Sequence, residues 1–172
     1  MITKTEAISF LKEHQPMPGD KELIKEEIEK YEEVRKYFLD HPDEQCIPLF
    51  LNSFGGKDGL GVYQMVEDVI VMYDKELVLP YILETFTNPS ESVRYWCIQI
   101  SSNFPDRILF NPLVKLLQTE DEDIKTAVIT ALAQLALNGI CTNEVIAVLK
   151  DELERISDEE MKEFVAEVLR DI

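Results

Sequence analysis

The sequence predicts an all-α fold built from repeated helical hairpins. Apolar residues recur at helical spacing along almost the whole chain, and strict alternation of apolar and polar residues is rare. Pro48, Pro80 and Pro112 follow one another at intervals of 32 residues, and an apolar cluster comes directly after each proline. A repeat of this length is typical of stacked helical hairpins. We therefore expect a single domain over residues 1–172, an α-α superhelix of about four hairpins with an N-terminal helical pair.

The N-terminal helical pair is expected to occupy residues 1–43. The segment Thr3–Glu6 has the S/T-x-x-E spacing of a capping box, which predicts the start of a first helix. Pro16 and Gly19 predict its end. Residues 20–39 are predicted to form one amphipathic helix, because their apolar residues share one face and Glu–Lys pairs lie on the other.

Residues 44–172 are predicted to carry the repeats, each of which is a pair of helices. A proline in the first turn of a helix costs no hydrogen bond, so Pro48, Pro80 and Pro112 are expected to open the first helices of three successive hairpins. The segment 88–98 superimposes on 119–129 at an offset of 31 residues. A polar cap, an apolar residue, a basic residue and an apolar stripe follow in the same order in both segments, which predicts the second helices.

A fourth hairpin fits at a longer offset. Ile146, Leu149 and Leu153 give its first helix an apolar stripe. Ser157 and Glu160 have the spacing of a further capping box, which predicts that the second helix begins there.

Two of these units resemble a known repeat. The segment Asn88–Arg94, followed by an apolar second helix, resembles the HEAT repeat in its short bacterial form, in which an acidic turn leads to Val-Arg and then to small apolar positions. The segment Glu120–Lys125 is similar. The resemblance spans residues 44–172 and implies an armadillo-like α-solenoid, most often used for protein binding. It also implies that Arg94 makes intramolecular contacts with acids or carbonyls between adjacent repeats.

The composition argues against several classes of function. The chain carries 17 Lys and Arg against 34 Asp and Glu, and its net charge of −17 repels nucleic-acid phosphates and anionic lipids alike. No apolar run reaches the ~20 residues of a membrane span, and the N-terminus lacks the pattern of an export signal. Cys46, Cys97 and Cys141 lie far apart among apolar neighbours, as buried, reduced thiols do. We expect a cytoplasmic protein that binds neither nucleic acid nor membranes.

The sequence predicts no catalytic, metal or cofactor site. Neither His14 nor His41 lies at the Glu-x-x-His spacing of a carboxylate metal centre, and no Gly-x-Ser-x-Gly turn is present to place a nucleophile. The segment Gly55–Gly61 lacks the spacing of a phosphate-binding loop. It is predicted to be a flexible turn, with a mobile partner-binding loop as the alternative. Residues 62–73 are predicted to form one buried helix, and Trp96 is predicted to pack in the core.

The predicted functional surface is the polar stripe along the second helices, because a solenoid presents successive inner helices as one face. The last 54 residues hold 14 acidic and 5 basic groups, which is more than half of the net charge. We expect a non-catalytic scaffold, or an antagonist such as an immunity protein, that binds a basic or mixed-charge protein steered by these acids. The residues expected to contact the partner are Tyr95, Gln99, Thr126, Thr130, Glu163 and Glu167.

Other interpretations of the sequence remain open. A small HEAT-like enzyme would need an exposed reactive cysteine or an acid in a pigment pocket if it were a bilin lyase, or a basic groove if it were a DNA glycosylase. An acidic chain that imitates nucleic acid would compete with DNA for a basic protein. The acidic surface also agrees with a role in solubility alone.

Overall fold

The computed structural model describes residues 2–118 and 121–172. All regular elements in these ranges are helices, which confirms the predicted all-α fold, and no helix there is long and apolar enough to cross a membrane. The chain contacts define two compact units, Met1–Ile100 and Ser101–Ile172. The described α-helices are α1 (Lys4–Glu13), α2 (Lys25–Asp40), α3 (Cys46–Leu51), α4 (Glu67–Ile70), α5 (Lys75–Thr85), α6 (Glu91–Ser101), α7 (Phe110–Leu116), α8 (Glu122–Leu137), α9 (Thr142–Arg155) and α10 (Glu159–Asp171), with 3-10 turns at Tyr63–Val66 and Arg107–Leu109.

The N-terminal pair is present, but its second helix begins later than predicted. The capping box of α1 is confirmed: the Glu6 N–H donates to the Thr3 hydroxyl (3.3 Å), and the Thr3 N–H donates to the Glu6 carboxylate (2.8 Å). The start of the second helix at residue 20 is wrong, since α2 begins at Lys25. A separate turn comes first, in which the Leu23 N–H donates to the Gly19 carbonyl (2.9 Å).

Tyr31 of α2 lies at the centre of the core of the first unit. Its ring packs edge to face against Phe50 and Tyr63, with centroids 5.9 and 5.6 Å away. Its hydroxyl is hydrogen-bonded to the Ser53 hydroxyl (2.6 Å), and burial raises the pKa of Tyr31 far above its ordinary value. Such aromatic pairs add about 0.5–1.5 kcal/mol each to the gain from burying their area. One side chain therefore joins α2 to α3 and to the turn that follows.

The glycine-rich segment Gly55–Gly61 forms the predicted turn, but its backbone is packed against the rest of the unit. Gly55 and Gly59 are buried. The Gly59 N–H donates to the Asp20 carboxylate (3.1 Å), and the Trp96 indole N–H donates to the Lys57 carbonyl (2.9 Å). The segment is therefore a structural part of the first unit.

The substitution Gly55→Ala tests this packing. A Cβ at this position would lie 2.5 Å from the Met17 carbonyl oxygen and 2.7 Å from the Tyr63 hydroxyl, and backbone atoms cannot yield as a flexible side chain can. We expect a loss of about 1–3 kcal/mol in the free energy of unfolding, measured in urea. Gly19→Ala is the control, because the nearest atom would be 3.9 Å away. Equal stability of the two variants would contradict the packed arrangement.

Arg35 of α2 holds the segment after this turn. Its side chain is 7% exposed and donates to both carboxylate oxygens of Glu32 (2.6 and 2.9 Å) and to the Met65 carbonyl (3.3 Å). The prediction of one buried helix over residues 62–73 is wrong: a 3-10 turn and the single turn of α4 occupy this region. A guanidinium bound to the Met65 carbonyl stabilises this irregular backbone from outside the segment. Its hydrogen bonds also hold the pKa of Glu32 below its usual range.

The substitution Glu32→Gln should make the stability of the chain less dependent on acid. Because the pKa of Glu32 is lowered in the folded state, its pairing stabilises the fold fully above the unfolded pKa of about 4.3 and is lost as the pH falls through the lower folded pKa. We expect the variant to lose about 2 kcal/mol at pH 7, measured by urea unfolding, and its difference from the parent to shrink as the pH falls below the unfolded pKa of about 4.3. Glu29→Gln is the control, since its pair with Lys25 is exposed. A constant difference at all pH values would contradict the role of the ion pair.

The three repeated prolines do not occupy equivalent positions. Pro48 and Pro112 each lie in the first turn of a helix, α3 and α7, as predicted. The prediction for Pro80 is wrong, because it lies inside α5, which begins at Lys75. Asp74 has an extended backbone and its carbonyl accepts from the Val78 N–H (3.3 Å), so the helix is established before the proline. Pro80 is exposed, where water can bind the carbonyl that it leaves unpaired.

Helix α8 is the central element of the second unit. It packs against α7, α9 and α10, and the Asp121 carboxylate caps it by accepting from the Ile124 N–H (2.7 Å). The predicted fourth hairpin is present as α9 and α10. Its cap is Asp158 rather than Ser157, because the extended backbone of Asp158 brings its carboxylate within 2.8 Å of the Met161 N–H.

Candidate protein-binding surface

Tyr95 and Gln99 lie one turn apart on α6 and interact directly. Both are half-buried, and the Gln99 amide donates to the Tyr95 hydroxyl (3.2 Å). Trp96 is also half-buried rather than fully in the core. Its indole ring stacks on Phe54, with centroids 5.8 Å apart, and meets the Tyr95 ring edge to face at 5.3 Å. The first unit therefore presents a partly exposed aromatic pair beside an amide.

Arg94 closes the turn that leads into α6. Its guanidinium donates to the backbone carbonyls of Asn88 (2.6 Å) and Pro89 (3.2 Å). The contacts are with carbonyls, as the family resemblance implied. They lie within one repeat instead of joining two, because Arg94 reaches back over the turn at the start of its own helix.

Thr126 and Thr130 lie one turn apart on α8. The Thr126 hydroxyl donates to the Glu122 carbonyl and the Thr130 hydroxyl to the Thr126 carbonyl, both at 2.9 Å. Their hydroxyl protons are therefore used within the helix. The hydroxyl oxygens and methyl groups of these half-buried residues are the parts that a partner could contact.

Helix α10 carries an acidic stripe, defined as Glu160, Glu163, Glu167 and Asp171. These residues are three or four positions apart and all are exposed. Within the described residues, none of the four carboxylates has an ion-pair or hydrogen-bond partner. The opposite side of the helix packs inward through Val165. The stripe therefore presents four unpaired negative charges to solvent.

The six predicted contact residues lie on three helices as three pairs. Tyr95 touches Gln99, Thr126 is one turn from Thr130, and Glu163 is one turn from Glu167. The first pair belongs to the first unit and the other two pairs belong to the second, in which α8 and α10 pack together. The continuous face across all six residues stays a prediction. Sequence reasoning overlooked Glu160 as a member of the stripe, although its spacing from Glu163 is visible in the sequence.

The cysteines are not placed for nucleophilic chemistry. Burial raises the pKa of Cys46 to about 11 and that of Cys97 to about 12, so both are protonated at neutral pH. Cys141 is buried as well, which confirms the prediction of buried free thiols. Among residues 2–118 and 121–172, no group of three or more His, Cys, Asp or Glu side chains is arranged to hold a metal ion.

A family profile described as HEAT repeats matches residues 79–170, which is more than half of the chain. The chain belongs to the HEAT-repeat family. The matched region begins within α5 and ends within α10, so the hairpins α5–α6, α7–α8 and α9–α10 are HEAT repeats of an α-α solenoid. Proteins built from HEAT repeats are typically non-catalytic scaffolds for protein–protein interaction. A comparison with curated proteins finds no match.

The acidic stripe should lower the stability of the last HEAT repeat. Glu163 and Glu167 are like charges at i,i+4, and the substitution Glu167→Lys replaces their repulsion with a favourably oriented pair near the C-terminal end of α10. We expect the urea midpoint of unfolding to rise by about 0.2–0.4 M. Glu167→Gln should give a smaller rise, because it removes the repulsion alone. A lower midpoint for Glu167→Lys would show that Glu167 has a stabilising partner.

Proposed function

We propose that this HEAT-repeat protein is a non-catalytic scaffold that binds a basic or mixed-charge protein along the second helices of its repeats. The acidic stripe of α10 provides the main electrostatic attraction, and Thr126 and Thr130 of α8 provide further contacts. Tyr95 and Gln99 form a neutral contact region on α6. An antagonist that blocks a basic partner, as an immunity protein does, is one form of this function.

The observation that carries the proposal is the difference between α10 and α2. Both helices are rich in acids, but three of the six acids of α2 are in ion pairs: Glu29 with Lys25, Glu33 with Lys30, and Glu32 with Arg35. Among the residues that the structure describes, Glu159 is the one acid of α10 in an ion pair, with Lys162. Unpaired like charges along one exposed face steer a basic partner toward that face and raise the rate of association.

The aromatic pair on α6 supports a protein ligand. Tyr and Trp are enriched among the residues that contribute most to protein–protein binding, because they combine a large apolar area with a polar group. The Tyr95 hydroxyl is already ordered by Gln99, so little conformational entropy is lost when it contacts a partner. A mixed-charge partner would then contact neutral and acidic parts of the repeats.

The double variant Glu163→Lys, Glu167→Lys tests the proposal. The immobilised parent protein should retain a basic or mixed-charge protein from a lysate of the source organism. The dissociation constant of that purified protein should rise on the order of tenfold or more in the variant at low salt, and the difference should shrink at high salt, because the attraction is screened.

The double variant Glu22→Lys, Glu26→Lys is the matched control. It makes the same change in net charge at two exposed acids of the first unit that have no ion pair in the described part of the chain. We expect it to bind the partner as the parent does. Retention of the same proteins by the parent and the stripe variant would contradict the proposal. Displacement of the partner by DNA would favour imitation of nucleic acid.

A further inference from the structure

A cavity of about 520 Å³ lies within the second unit. It is bounded by α7, the first turn of α8, the end of α9 and the first turn of α10. Its volume lies in the range of roughly 300–1,000 Å³ that is typical of ligand-binding pockets. Part of its wall is apolar and is formed by Val114, Leu117, Val148 and Met161.

Glu152 is the residue in this wall that folding does not explain. It follows Val145 and Leu149 on the buried stripe of α9, at a position where an apolar side chain is expected, and it is only 7% exposed. Within residues 2–118 and 121–172 its carboxylate has no hydrogen-bond or ion-pair partner. Neither carboxylate oxygen is a buried atom without a partner, so the carboxylate opens onto the cavity, where a ligand can reach it. Its presence in a cavity wall therefore points to a partner from outside the chain.

The charges around the cavity favour a cation. Glu122, Asp151 and Asp158 line it together with Glu152, against the two basic residues Lys125 and Arg155. The helix N-termini at the cavity, which would otherwise attract an anion, are already capped. The Ile124 N–H of α8 donates to Asp121 (2.7 Å), and the Met161 N–H of α10 donates to Asp158 (2.8 Å). An anion would also lie beside the buried Glu152 carboxylate, whereas a cation would neutralise it.

We propose that this cavity receives the guanidinium or ammonium group of an arginine or lysine side chain, with Glu152 as its ion-pair partner. The apolar part of the wall, Val114 and Leu117 among it, packs against the methylene stem, as apolar surfaces do with these long side chains. That the side chain belongs to a bound protein rests on the proposed function. The chemistry of the cavity does not depend on it.

Capped arginine tests the cavity without the partner. Titration of N-acetyl-arginine methylamide into the isotopically labelled protein should shift the amide resonances of Leu117, Lys125 and Glu152 and should saturate. The neutral isostere N-acetyl-citrulline methylamide should cause no saturable shift. Glu152→Gln should weaken arginine binding on the order of tenfold or more, whereas Glu154→Gln, an exposed acid on the same helix, should leave it unchanged. Equal binding by the parent and Glu152→Gln, or preferential binding of inorganic phosphate, would overturn the proposal.

Stability separates a binding role from a structural role. Because Glu152 is unpaired, Glu152→Gln should unfold at the same urea concentration as the parent or at a higher one. A markedly lower midpoint would show that the carboxylate is paired within the fold and would overturn the proposal.

Binding of the captured partner shows whether the cation in the cavity is a side chain of a protein or a free small molecule. Glu152→Gln should weaken its binding on the order of tenfold or more. The cation would not come from a protein if the parent bound agmatine more tightly than capped arginine and if Glu152→Gln bound the partner as tightly as the parent does. Loss of arginine binding in Glu152→Gln alongside full partner binding by the stripe variant Glu163→Lys, Glu167→Lys would refute the proposed function and leave the cavity chemistry in place.

Discussion

The burial of α8 is the constraint on which the second unit depends. A single helical hairpin cannot cover its own apolar face, so each hairpin needs the next one. Helix α8 is covered by three neighbouring helices, α7, α9 and α10, and its buried face alternates small and large apolar residues. Ala127, Ala131 and Ala133 let the neighbouring helices approach closely. Because α10 covers part of α8 with its apolar side, its other side is exposed to solvent.

The parts of the fold that rest on local spacing could be predicted from the sequence. The apolar period and the repeat offset are sufficient to predict α8, α9 and α10. The capping box is sufficient to predict the start of α1. Local patterns fail where a distant group decides the outcome. The break in residues 62–73 involves Arg35, which lies some 30 residues earlier in the chain and binds the Met65 carbonyl. Pro80 was misplaced because the turn at Asp74 opens the helix earlier.

The repeat predicts on which helix each candidate site residue lies, but not the contacts that its side chain makes. Mapping one repeat on another places Thr126, Thr130 and Glu163 on second helices, but it cannot show that both threonine hydroxyls donate within α8. It also overlooked Glu152, because an acid in an amphipathic helix is ordinarily exposed. The available signal was its register with Leu149 on the apolar stripe. The like charges of the acidic stripe are unfavourable within α10, and a cost of this kind agrees with the proposed role in binding.

The reactivity of the three buried thiols can be used to measure local unfolding of the protein. Cys46 and Cys97 lie in the first unit and Cys141 in the second, and all three are enclosed by packed side chains. A thiol reagent can react with them only when the surrounding structure opens, so each reaction rate measures the free energy of a local or global unfolding event. The two halves of this small repeat protein can therefore be compared for their separate cooperativity without introducing a probe into either.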